Sequence, residues 1–238
     1  MPTIAIIGAG PGLGLAIART FGSQGFNVAL VSRNKTNLDD LVARLTDQGI
    51  TAAGFAADVL DRPALVRALQ SAADHFGGID VLEYSPVDKA PGGTVLTQPA
   101  VSAPEDIQPQ IEAQLYGAIA ATQAVLPAMR AAGVGTLLFT TGAGSVDPVP
   151  QVGNVNAAAA ALRNWAINLN KELAETGIYA AHVGIDVSID VAAIPGFPTA
   201  PASEIAAAYW DLYDTRDSAE FVFTKRPTIG SLDLPFLP

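Results

Sequence analysis

The sequence predicts an α/β fold, a doubly wound parallel sheet with helices on both faces. Two observations carry that prediction. Short apolar runs alternate with segments of helical spacing along most of the chain. A glycine-rich turn, Gly8-Ala9-Gly10-Pro11-Gly12-Leu13-Gly14, joins the first run to the first helix. Strands that alternate with helices run parallel, because each helix returns the chain to the same end of the sheet. Each crossover is expected to be right-handed.

The first strand is read over 3–7 and the first helix over 13–24, stopped by Gly25. A second strand over 27–31 leads into the polar cluster 32–37, and a helix over 38–48 ends at Gly49. Residues 51–57 read as a third strand. Asp61-Arg62-Pro63 opens a helix that runs towards Phe76 and is closed by Gly77-Gly78; proline in a first turn gives up no hydrogen bond. A fourth strand follows over 79–84, and residues 86–104, rich in Pro, Gly and Thr, read as an irregular loop. A long helix over 104–132 stops at Gly133, a fifth strand covers 136–140, and 142–153 reads as a loop. An alanine-rich helix over 154–175 ends at Thr176-Gly177 and precedes a sixth strand over 179–185.

Residues 194–213 are expected to cover the substrate side. Pro195, Pro198 and Pro201 make the first part extended, and Ser203 with Glu204 opens a helix ending near Tyr209-Trp210. Aromatics in that place suit an apolar or aromatic ligand, with core packing as the alternative. The tail 226–238 carries three prolines and reads as extended. No internal repeat or interdomain linker appears, so 1–238 is read as a single domain.

Composition narrows the function. Half of the 238 residues are hydrophobic and 15% are charged, which suits a packed core and not a disordered chain. The net charge of −10, without any Lys/Arg-rich run, argues against a nucleic-acid partner. The absence of cysteine excludes disulfides, thiolate metal sites and a cysteine nucleophile. The two histidines, His75 and His182, are far apart, so no metal site is expected. The apolar run 4–7 is too short for a signal peptide or a membrane span, and a soluble cytoplasmic chain with no membrane partner is expected. No Gly-x-Ser-x-Gly motif and no motif-linked carboxylate pair is present.

The glycine loop carries the strongest chemical signal. Glycine lets a backbone turn sharply and approach a pyrophosphate without a Cβ in the way. The helix that follows presents unpaired N–H groups and a partial positive charge to the phosphates. Pro11 has no N–H, so Gly12, Leu13 and Gly14 are the expected donors, with Gly8 and Gly10 shaping the loop. This is a Rossmann-type dinucleotide site. An NAD site usually places Asp or Glu at the end of the second strand, and this chain has Val31-Ser32-Arg33-Asn34 there. Without that carboxylate a 2′-phosphate is not repelled, and Arg33 can grip it with help from Ser32 and Lys35. The cofactor expected is NADP(H), with NAD as the alternative.

The spacing Gly8-x-x-x-Gly12-x-Gly14 resembles the short-chain dehydrogenase/reductase family, with Ile7 where that family usually has Thr. The resemblance covers roughly residues 3–190. It implies that Asp58-Val59 borders the adenine ring, with a helix N-cap as the competing role for Asp58. It also implies that Tyr84-Ser85-Pro86-Val87 stands in for the family's Asn-Asn-Ala-Gly, bringing Ser85 to the cofactor. The implied reaction is hydride transfer between nicotinamide and a carbonyl or alcohol, served by Asn, Ser, Tyr and Lys. In that relay a hydroxyl protonates the alkoxide and an ammonium lowers the hydroxyl's pKa.

Those residues are not found at the matching positions. Ala160-Ala161-Leu162 aligns with the family's Ala-Ala-Leu, which puts Val155 at the Tyr position and Ala159 at the Lys position, and no Tyr-x-x-x-Lys occurs anywhere. Gly142 meets the Ser position, or Thr141 after a one-residue shift, and Gln114 replaces Asn. The family's Pro-Gly after the sixth strand becomes Ile185-Asp186. Candidate substitutes are Tyr84 at a strand end, Tyr116 one turn from Gln114, and Thr140 or Thr141. His182 reads as a satisfied core histidine, His75 as a helix-end partner, and Asp186 and Asp190 as loop carboxylates able to face the pocket. The resemblance further implies a homodimer or homotetramer through the two long helices. Three functions follow: an NADP(H) oxidoreductase of a small carbonyl, alcohol or imine with a rewired relay; a nucleotide-binding sensor or partner subunit without turnover; and a non-redox isomerase or cyclase.

Overall fold

The structure, a computed structural model, describes residues 1–87, 95–192 and 196–226. Its elements follow the expected alternation. β1 (Thr3–Ile7), α1 (Leu13–Ser23), β2 (Asn27–Ser32), α2 (Lys35–Thr46), β3 (Ala52–Ala56), α3 (Arg62–Phe76) and β4 (Val81–Tyr84) form the first half. The second half holds α4 (Pro104–Ile111), α5 (Gly117–Ala132), β5 (Gly135–Gly142), α6 (Gly153–Glu172) and β6 (Ile178–Asp186). After these come β7 (Ser188–Ile189), β8 (Thr199–Ala200), α7 (Ala202–Thr215) and β9 (Glu220–Thr224).

Seven strands form one sheet in the order β3-β2-β1-β4-β5-β6-β9, every neighbouring pair parallel. The order reverses between β1 and β4, the place where open α/β sheets bind ligands beyond their carboxyl ends. Successive residues of β1 bury on opposite faces. Ile4 and Ile6 join one apolar cluster with Leu138, Val183, Phe21 and Tyr209 under α1 and α7. Ala5 and Ile7 join another with Leu137, Phe139, Leu69 and Leu162 under α3, α5 and α6. Burial of each large aliphatic side chain contributes roughly 1.5–3 kcal/mol, so both sides of the sheet are committed to covering helices.

Several boundaries differ from the expectation, each for a local reason. α2 begins three residues before 38, because the Asn34 side chain accepts from Asn37 N at 3.0 Å and caps it. The helix expected over 104–132 is interrupted by a π-helical turn, Glu112–Tyr116, between α4 and α5. The loop 142–153 contains two 3₁₀ turns, Ala143–Ser145 and Pro150–Val152. α7 runs on to Thr215. The strand β9 was not anticipated; it extends the sheet beside β6. Residues 88–94 of the irregular loop, 193–195 of the substrate-side segment and 227–238 of the tail lie outside the described residues.

The aromatics expected over a ligand lie in the core. Tyr209 is fully buried. Trp210 packs edge-on against Phe21 and Phe26 at centroid distances of 5.3 and 6.1 Å, sealing α7 onto α1. These two residues therefore give no support to an apolar or aromatic ligand.

Candidate active site

The carboxyl ends of β3, β2, β1, β4 and β5 lie side by side. That arrangement gathers Asp58, Ser32 with Arg33, the glycine loop, Ser85 and Thr141 along one edge. Gly8 takes φ +90°, and a Cβ there would lie 2.6 Å from the Pro86 backbone, so the loop and the end of β4 close on each other only with glycine. Gly10 and Gly12 differ from it. An added Cβ would meet nothing nearer than the Gly8 carbonyl oxygen at 3.9 Å and Asp190 Oδ2 at 3.9 Å, respectively. The outer face of the loop is therefore an open cradle that a side chain would fill. At its rim the Gly12, Leu13 and Gly14 amides open α1, whose first-turn donors have no intrahelical acceptor. Such a cradle fits a diphosphate.

A cleft of about 240 Å³ continues from Pro11 and Gly12 along α1, past Arg19 to Asp190 and Ser203. Asp190 is not free in it: Oδ1 accepts from Ala202 N at 2.8 Å and starts α7. Asp186 accepts from Thr224 at 2.9 Å and pairs with Arg226 at 2.9 Å. Neither loop carboxylate is an unengaged group facing a pocket. A larger hollow of about 530 Å³, bordered by Arg19, Ser23, Gln48 and Ile50, lies at the opposite end of α1, away from the strand carboxyl ends.

Beyond β3 the cap role falls to Asp61, whose side chain accepts from Ala64 N at 3.0 Å. Asp58 instead holds a local turn, accepting from Leu60 N at 3.0 Å. Val59 lies between these two turns, on the way into α3.

The three donor candidates separate sharply. Tyr84 is buried, and its hydroxyl donates to the Ala113 carbonyl in the π turn. Its ring lies over Gly117, where a Cβ would reach within 2.0 Å of the phenol oxygen. Burial first, and Asp58 second, push that phenol's pKa upward. The expectation of Tyr84 as leading donor thus meets a phenol whose proton is already committed inside the core. Tyr116 is 46% exposed and carries the Arg62 guanidinium over its ring at 5.9 Å, on the α3 side of the molecule. Thr141 meets polar groups at the edge itself, namely Ser145 Oγ at 2.9 Å and His182 Nε2 at 2.8 Å.

A second group at this edge escaped the sequence reading. Glu83 lies fully buried in β4, where Thr140 Oγ1 donates to it at 2.8 Å and Ser85 Oγ at 2.9 Å. Because the Thr140 proton is spent there, the Tyr209 phenol donates to Thr140 across 2.7 Å. Burial raises the Glu83 pKa to about 7, against the lowering effect of its two hydroxyl partners. A lone acidic residue in an apolar run was the available sequence signal. Among the described residues no group of His, Asp and Glu could hold a metal ion, and no helix is long and apolar enough to cross a membrane.

Comparisons with known proteins agree with this geometry. The family description "short chain dehydrogenase" matches residues 2–187. Dehydrogenase/reductase SDR family member 4 of Sus scrofa is 30% identical over 168 residues, 70% of this chain and 58% of that protein's length. The chain thus spans less than two thirds of this relative. A putative ketoacyl reductase of Streptomyces coelicolor is 28% identical over 231 residues, covering 94% of this chain and 82% of that one. L-sorbose reductase of Gluconobacter frateurii, solved in complex with NADPH and L-sorbose, superimposes with a TM-score of 0.83 at 21% identity over 97% of both chains.

Proposed function

The chain belongs to the short chain dehydrogenase family, and from that premise we propose that it is an NADP(H)-dependent oxidoreductase of a small carbonyl, alcohol or imine, with a proton relay unlike the family's usual one. The observation that carries this reading is the open glycine cradle at Gly10 and Gly12, beside the unpaired amides of α1. In this assignment the amides of Gly12, Leu13 and Gly14 hold the diphosphate, and Gly8 lets the strand ends of β1 and β4 close beneath it. Arg33 and Ser32 meet the 2′-phosphate, Asp58 and Val59 border the adenine, and Ser85 lies beside Gly8. The NADPH complex of the sorbose reductase and the name of the ketoacyl reductase support the cofactor and the substrate class.

Held across the glycine loop by these residues, the cofactor would supply the hydride. The chain's own task is then to move a proton at the substrate oxygen. With no Tyr-x-x-x-Lys in the sequence, this reading gives that task to the Thr141 hydroxyl at the end of β5. The same reading expects a homo-oligomer in solution, which light scattering would detect.

Titration of NADPH and NADH against the wild type and Gly12→Val tests the assignment. A Cβ on Gly12 meets no atom nearer than 3.9 Å, but its ψ of −115° lies outside the ordinary α and β regions, so the variant is expected to stay folded with a lowered melting temperature while NADPH binds at least about 100-fold more weakly. Arg33→Asp is expected to erase the preference for NADPH. Equal NADPH affinity in the wild type and Gly12→Val would remove the cradle from the argument.

A further inference from the structure

Thr141, buried at the carboxyl end of β5, begins a chain of polar groups contributed by four elements. Its Oγ1 lies 2.8 Å from Nε2 of His182 on β6. The other ring nitrogen, Nδ1, lies 3.0 Å from Oε1 of Glu220 on β9. Arg163 on α6 engages both oxygens of that carboxylate, its Nη2 donating to Oε2 at 2.8 Å. His182 has no solvent-exposed surface. At the other end, Gly142 is exposed, and a Cβ there would meet no atom within 4 Å. The chain of groups therefore runs from Thr141, itself buried beside the exposed Gly142, through the enclosed imidazole to a charge pair that is about 30% exposed.

The protonation pattern follows from the partners. The hydrogen bonds from Arg163 hold the Glu220 carboxyl below its ordinary range, so it is an acceptor. Nδ1 must then carry the ring proton. Burial lowers the imidazole pKa, Glu220 pulls it back up and Arg163 adds a lowering push, which leaves the resting ring neutral at pH 7. Nε2 is thus a lone pair facing the Thr141 hydroxyl, whose other acceptors, Ser145 Oγ at 2.9 Å and the Gly142 carbonyl at 3.0 Å, lie farther off; an oriented base so placed can activate a hydroxyl.

We propose that Thr141 and His182 form the proton relay of this site, with Glu220 and Arg163 as positioning residues. The inference rests on the oxidoreductase reading. In the oxidising direction the substrate O–H gives its proton to Thr141 Oγ1, and the Thr141 proton passes to His182 Nε2. The C–H bond breaks with its electron pair leaving to NADP+, and the carbonyl forms. In the reducing direction the imidazolium returns its proton through Thr141 to the alkoxide oxygen. Thr141 touches the substrate; His182 acts through it.

Nuclear magnetic resonance of the imidazole nitrogens in the full chain tests the arrangement without any substrate. Only two histidines are present, and His75→Gln removes the other signal. The expected result at pH 7 is a neutral ring protonated at Nδ1, with an Nε2 resonance that moves in Thr141→Val. A ring protonated on Nε2 alone, or an Nε2 resonance indifferent to Thr141→Val, overturns the proposal. Turnover of NADPH with L-sorbose, β-ketoacyl thioesters and simple ketones supplies the second readout. Thr141→Val and His182→Gln are each expected to lower turnover by about 10²–10⁴, with NADPH affinity kept and Thr141→Ser restoring activity. Glu220→Gln, a milder change should His182→Gln fail to fold, is expected to move the basic limb of the pH profile to lower pH, because the carboxylate no longer supports the imidazolium. Variants that lower the melting temperature but leave the pH profile in place overturn the proposal. Failure to bind NADPH would sink the oxidoreductase reading instead, while the resonances still decide whether the hydroxyl, imidazole and carboxylate are linked.

Discussion

Thr140 and Thr141 are neighbours on β5, yet they serve opposite faces of the sheet and end in opposite kinds of carboxylate. Thr140 donates to Glu83, which is fully buried with only hydroxyls around it, and whose pKa rises to about 7. Thr141 leads through His182 to Glu220, which is partly exposed, is engaged by Arg163, and has its pKa lowered. Two glutamates within one sheet edge thus diverge because one lost water without gaining a cation and the other gained a cation first. The lesson is that the partner, more than the residue type, sets which group carries charge at neutral pH.

The pH dependence of stability should separate them. Between the ordinary carboxyl value of 4.5 and about 7 the folded chain keeps the Glu83 proton and the unfolded chain does not. Stability therefore falls as pH rises through that window, by up to about 3 kcal/mol. His182 acts in the opposite sense, since its folded pKa is lowered and its contribution is lost as pH falls below 6.5. Glu220 also opposes Glu83, its contribution being present above 4.5 and lost as pH falls through its lowered folded value.

The largest effect is expected from Glu83→Gln, which keeps an acceptor for Thr140 and removes the titration. At pH 8 it should raise the melting temperature by up to about 6–12 °C, and it should unmask the rising slope due to His182. A melting curve as steep between pH 5 and 8 as that of the wild type would break the contrast. Thr140→Val comes next. It strips a donor from Glu83 and leaves the Tyr209 phenol without its partner, at a cost of about 1–3 kcal/mol, and it should push the Glu83 titration further up. Arg163→Leu should be milder, about 1 kcal/mol or less at pH 7, because that pair is about 30% exposed and screened by solvent. Its diagnostic sign is a Glu220 titration that moves back up, measurable by carboxyl chemical shifts. Tyr209→Phe should cost least, under about 1 kcal/mol, since Thr140 retains Glu83; a larger loss would mean that the phenol, and not the carboxylate, organises that network.

What could be read in the chain itself was local. The glycine loop, the helix stops at Gly25, Gly77 and Gly133 and the apolar runs of β1 and β2 all state their conformation within a few residues. That no Tyr-x-x-x-Lys spacing occurs was equally plain, because such a motif is a spacing along one helix. Neither polar network was legible. Thr140 and Glu83 stand 57 residues apart, and His182 and Glu220 stand 38 apart. Glu220 also belongs to a strand whose sequence, Glu-Phe-Val-Phe-Thr, follows a helix without a turn motif distinctive enough to mark it.

The sequence by itself determined the order of strands and helices as far as β6, and the place of the glycine loop. Only the tertiary structure decided that Tyr84 is spent inside the core, that Tyr209 and Trp210 pack inward, and that Thr141 and not Thr140 meets the histidine. The reason is register. Side chains alternate across a strand, so a slip of one residue in β5 against β4 and β6 would exchange the two threonines between faces. Periodicity along the chain cannot fix that choice; the pairing of distant strands does.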